Sequence, residues 1–143
     1  MSKTTLIIFI FSISINTFAA ETAKQKFPSP PAVKENEITV FIEDKYKIFQ
    51  IKKENEVVFT KDCLDKKKTC LAYQATEKAI PLPGPKAPGL GMPAADYCDA
   101  KGGRNLIAFD NKRDEVNYCF FKDGTAVGSW SMYFKHYPAK VIR

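Results

Sequence analysis

The sequence predicts an α+β fold: a small antiparallel β meander lobe, a Pro/Gly-rich spacer, and a disulfide-stapled α-β-β-α lobe. Three observations point to it. Short runs rich in β-branched and aromatic residues precede residue 61, five of the nine prolines crowd into residues 81–93, and two of the four cysteines fall on each side of that crowding. The organisation read from these signals is a signal peptide at 1–19, an extended leader at 20–36, a β-rich lobe at 37–80, a linker at 81–92 and an α+β domain at 93–143.

The opening "MSKTTLIIFIFSISINTFAA" has one cation, Lys3, an apolar run from Leu6 to Ile15, and small residues suited to cleavage after Ala19. The run is shorter than the roughly 20 residues of a spanning helix, so the mature chain is expected to be exported and not membrane-spanning. No cysteine precedes Cys63, so no lipoprotein acceptor lies near the cut. Cleavage removes one of 22 basic residues and none of the 16 acidic ones, which leaves +5 of the formal +6. Such a surplus suits anionic partners of the envelope. It is spread along the chain, without the basic stripe that would argue for nucleic acid.

Each element follows from local chemistry. The leader is polar and holds Pro28, Pro30 and Pro31, which exclude it from a helix interior or a central strand. "ITVFI" (38–42), "YKIFQI" (46–51) and "EVVFT" (56–60), separated by the turns "EDK" and "KKEN", read as strands of a meander. "DCLDKKKTC" closes a loop with Lys66, Lys67 and Lys68 at its tip, and the alternation in "LAYQA" (71–75) predicts a fourth strand. After the spacer, Pro93 suits a first helical turn, Ala94, Tyr97, Cys98 and Lys101 share a face, and Gly102 suits the left-handed stop. "RNLIAFD" (104–110) and "EVNYCFF" (115–121) read as a hairpin joined by "NKRD". Following the "KDGT" turn, "AVGSWSMYFKHYP" carries Trp130, Tyr133, Phe134 and Tyr137 at helical spacing and ends at Pro138.

An even number of cysteines in an exported chain implies disulfides. Four cysteines allow three connectivities. Locality favours Cys63 with Cys70 and Cys98 with Cys119, the second bond fastening the helix across the hairpin. Without a CxxC pair, and with His136 the only histidine, a zinc site is disfavoured; no cofactor or metal is expected.

"GLGMPAADYCDAKGG", followed by "VNYCFFKDGTAVGSWSMYFKHYP", resembles a small secreted bacterial domain of unknown function whose members are often labelled hemolysins. The shared pattern is a helix start, Y-C, a GG pair, a second cysteine before a DG turn, a tryptophan-bearing segment and a final H-x-P, over about residues 89–139. The resemblance implies the Cys98–Cys119 pairing and brings no catalytic residues with it. Members are commonly lipoproteins, from which this chain departs by lacking the acceptor cysteine. Residues 36–80 lie outside it. No long amphipathic helix of the kind a pore-former needs is present, so the label does not translate into an activity.

Candidate chemistry is sparse. A hydrolase would use His136, with Ser129 or Ser131 as nucleophile, yet no G-x-S-x-G elbow surrounds either serine. The carboxylate pairs Asp96 with Asp99 and Asp110 with Asp114 are the nearest candidates for glycoside chemistry, and Asp96 and Asp99 more simply suit the start of a helix. The aromatic set is mostly core. Trp130, Tyr133 and Tyr137 are the candidate binding aromatics, Trp130 expected to be the more internal and Tyr133 or Tyr137 to be left outside as a recognition patch, with Lys66, Lys67 and Lys68 as an anion-contacting tip. The sequence therefore reads as a non-catalytic binding or interaction protein of the bacterial envelope with a protein or polymer partner. The alternatives are an inhibitor of an envelope or extracellular hydrolase and a hydrolase using His136.

Overall fold

The computed structural model describes residues 28–82 and 91–138; the expected signal peptide, the first part of the leader and most of the spacer fall outside them. Six strands form a closed antiparallel barrel in the order β1-β2-β3-β6-β5-β4. They are β1 (Glu37–Ile42), β2 (Lys45–Glu54), β3 (Val57–Thr60), β4 (Arg104–Phe109), β5 (Glu115–Phe120) and β6 (Ala126–Gly128). Four short helices accompany them: α1 (Lys61–Asp65), α2 (Leu71–Glu77), α3 (Pro93–Ala100) and α4 (Ser129–His136).

Both expected hairpins are present. Ile38 faces Phe49 across β1–β2, and Asn105 faces Cys119 across β4–β5. The two-residue turns Glu43–Asp44 and Asn55–Glu56 adopt positive φ at both positions, as the right-handed twist of tight hairpins requires.

Three expectations are corrected. The segments before and after the spacer are not separate lobes, because β1 pairs with β4 and β3 with β6, so each three-stranded meander closes the other's edges. Neither meander alone has a second face to cover its apolar side chains. Residues 71–75 are helical, not a fourth strand: Cys70 caps α2 by accepting the Tyr73 N–H on Sγ at 3.2 Å, and Ala72, Ala75 and Thr76, at three- and four-residue spacing, face inward. Residues 126–128, to which the α-β-β-α reading gave no strand, form β6, which supplies the bridge between β5 and β3.

Strand alternation sorts the side chains into two cores. Ile38, Val40, Ala108, Tyr118, Phe120 and Ala126 fill the barrel. Val57, Phe59, Cys119 and Val127 point outward from the same sheet and are covered by Cys63, Cys70, Ala72, Tyr97, Cys98 and Met132 of the helical layer.

Candidate functional site

The helical layer is tied by covalent and polar bonds. Cys63 is bonded to Cys70, and Cys98 on α3 to Cys119 on β5. Both locally favoured pairs are formed, and the second holds α3 across the β4–β5 hairpin. Gly103 passes so close to this bond that a Cβ there would lie 2.3 Å from Cys119 Sγ. Gly102, with φ of +80°, has open space around it and serves the turn alone.

His136 sits between α3 and α2. Its Nε2 lies 2.9 Å from the carbonyl of Thr76 and its Nδ1 2.6 Å from the hydroxyl of Tyr97. A carbonyl only accepts, so Nε2 carries the proton and Nδ1 of the neutral ring accepts from Tyr97. The Tyr97 oxygen in turn accepts the Ile80 N–H at 3.3 Å. Burial lowers the His136 pKa, and the charges of Lys101 and Lys135 lower it further against the opposing bond to Thr76. Burial also raises the Tyr97 phenol. His136 is thus half-buried, with both ring nitrogens engaged. Ser129 donates to Asn105 at 2.6 Å and Ser131 to the Gly128 carbonyl at 2.9 Å, so neither serine is bonded to it. Asp110 accepts the Lys112 and Asp114 N–H groups at 2.8 and 2.9 Å, a turn clasp that occupies one candidate carboxylate.

The aromatic expectation for α4 is inverted. Tyr133 and Tyr137 turn inward and contact Tyr97 with ring centroids 6.0 and 5.7 Å apart, while Trp130 is 37% and Phe134 45% exposed, their rings stacked. The reason is the stripe that α4 buries: Ser129 and Met132 are fully covered, which rotates residues 130 and 134 outward. Of the three lysines at the loop tip, Lys67 is committed to Glu54 at 2.5 Å and lies over the Tyr73 ring; Lys66 and Lys68 remain exposed.

A cleft of about 590 Å³ opens at one end of the barrel. It exists because the β1–β4 ladder is short: pairing runs through Thr39–Phe109 and Val40–Ala108 and stops, so Ile42 and Leu106, which an extended register would bring opposite, line a gap. Phe49 and Phe120, in edge-to-face contact with centroids 5.2 Å apart, close its floor toward the barrel interior. Lys47, Arg104 and Lys122 line it along with a single carboxylate, Glu43, and the glycines 102, 103 and 124 lie in its wall. Glu43 is bonded to Lys47 at 2.8 Å, and that bond, with the charge of Lys47, holds its carboxyl below the usual range despite slight desolvation.

Residues 89–136 match the family described as a domain of unknown function, DUF333. This part of the chain is similar to DUF333. Within the barrel, the DUF333 segment supplies α3, β4, β5, β6 and α4, whereas β1, β2 and β3 come from outside the match. The cleft therefore lies between the DUF333 segment, which contributes the two glycine turns, Arg104 and Lys122, and the preceding meander, which contributes Ile42, Lys47 and Phe49. No curated protein and no solved structure matches the chain.

Among the described residues, no three His, Cys, Asp or Glu side chains converge as a metal site requires, and no helix is long and apolar enough to cross a membrane. Sequence reasoning did not single out Arg104, Lys122, Lys47 or Ile42. No local signal marks them, because the cleft is assembled from β1–β2 and β4–β5 across a seam that linear spacing does not show. The GG pair and the DG turn carried turn signals, and Phe49, Leu106 and Phe120 lay in predicted strands, none of which marked a cleft.

Proposed function

We propose that this is an exported, non-catalytic binding protein of the bacterial envelope that takes its ligand in the cleft where β1 and β4 part. One observation carries the reading: an apolar recess at the mouth of an otherwise packed barrel, ringed by a few charged groups, which is the usual build of a small-ligand site. Its volume lies within the range of such sites, and its strand walls, β2 and β4, are paired on their other edges. The two disulfides fit an oxidising compartment. The engagement of both His136 ring nitrogens weighs against its use as a general base.

Titrating isotope-labelled protein with an extract of envelope small molecules and lipids tests this. Amide shifts that saturate and cluster at 102–106 and 120–124 are expected, without chemical change in the extract. Shifts confined to other faces, or turnover of an extract component that His136→Ala abolishes, would replace the reading.

A further inference from the structure

We infer that the ligand of this cleft is a small amphipathic anion, a carboxylate or phosphate carried on one short chain or single ring. The inference rests on the cleft being the binding site and adds the chemistry of what fills it. Lys47, Arg104 and Lys122 line the recess with Glu43 as its one carboxylate, and Lys45 and Arg104 also act on Glu43, so cations outnumber the carboxylate. Glu43 is already matched by Lys47. Arg104 and Lys122 have no ion pair among the described residues, and Asp123, next to Lys122, is turned away onto the Leu71 N–H and Thr125.

An uncompensated cationic rim disfavours a second cation and draws an anion in. The planar Arg104 fork suits a carboxylate or phosphate in particular. Beneath the rim, Ile42, Leu106, Phe49 and Phe120 present only carbon, so the rest of the ligand is apolar. Its size is limited from below. The Phe49–Phe120 contact and the filled barrel behind it leave no channel for a long tail, and the apolar part must lie across the mouth.

The test uses four probes with one chain length and different heads, each below its micelle concentration: octanoate, octyl phosphate, octylammonium and 1-octanol. Binding is read by calorimetry and by amide shifts at 102–106. Octanoate, octyl phosphate or both should saturate at one per chain, at least about tenfold tighter than octylammonium, and should weaken in high salt. Which of the two binds more tightly separates a carboxylate source from a phosphate one. The double variant Arg104→Glu, Lys122→Glu should lose about tenfold or more with an unchanged melting curve, both side chains being exposed. Octylammonium or 1-octanol binding as tightly, with the same amides shifted, would overturn the anion assignment and leave the cleft as a binding site. Failure of all four probes to shift those amides would overturn the assignment too, and the envelope titration then decides whether the cleft binds anything.

Discussion

Inside the barrel, Ile38, Val40, Ala108 and Ala126 are wholly covered and pack in one apolar cluster with Tyr118 and Phe120, held in place by strand pairing around the ring. Outside it, under the helices, the packing is of another kind: two disulfides, the chain from Ile80 through Tyr97 to His136 and Thr76, and the Ser129–Asn105 bond are interleaved with apolar contacts. The difference follows from element length. Helices of five to eight residues are too short to persist by their own hydrogen bonds, so this layer needs side-chain and covalent ties that the paired strands do not. The disulfides therefore belong to the helical layer, and the barrel interior contains none.

The largest effect should come from cutting those ties. Replacing Cys98 and Cys119 together by alanine opens a loop with a separation of 21 residues and should cost about 3 kcal/mol; the same change at Cys63 and Cys70, separation 7, should cost about 2.5. Denaturant melts of both double variants would sharpen the comparison, and a larger loss from the shorter loop would break it. Next in size, Gly103→Ala should cost up to about 3 kcal/mol because the new methyl meets the Cys98–Cys119 sulfurs and cannot displace them. Gly102→Ala should cost about 1–2 kcal/mol from its positive φ alone. In a background lacking the disulfide, the Gly103 penalty should shrink and the Gly102 penalty should not.

The smallest effect is a pH dependence confined to the helical layer. The His136 pKa is lowered in the fold, so as pH falls through about 6.5 the unfolded chain takes up the proton first. Stability from this group is present at neutral pH and declines as pH drops toward the lowered folded value. Melting temperatures between neutral and mildly acidic pH should fall for the native protein, with a shallower slope for His136→Gln; equal slopes would show that the ring is not held neutral.

Much of this was legible in the residues. Short runs rich in β-branched and aromatic residues between polar turns marked β1 to β3, the Pro93 start and Gly102 stop bracketed α3, and cysteine locality favoured both bonds. The failures share a cause. "LAYQA" alternates like a strand but is capped as a helix by a cysteine sulfur, β6 is three residues long and exists only because β3 and β5 flank it, and the facing of Trp130 depends on which side of α4 meets the sheet.

Local chemistry marked the strands of both hairpins, the start and stop of α3, and the cysteine pairs that lie close together along the chain, because each of these depends on groups within a few residues or a short loop of one another. Tertiary structure alone decided that the meanders on either side of the spacer close one barrel, and that their ladder stops short at Val40 and Ala108 to open the cleft. Pairing between strands some seventy residues apart leaves no periodic trace in either, since every strand of a barrel shows the same alternation whichever neighbour it takes.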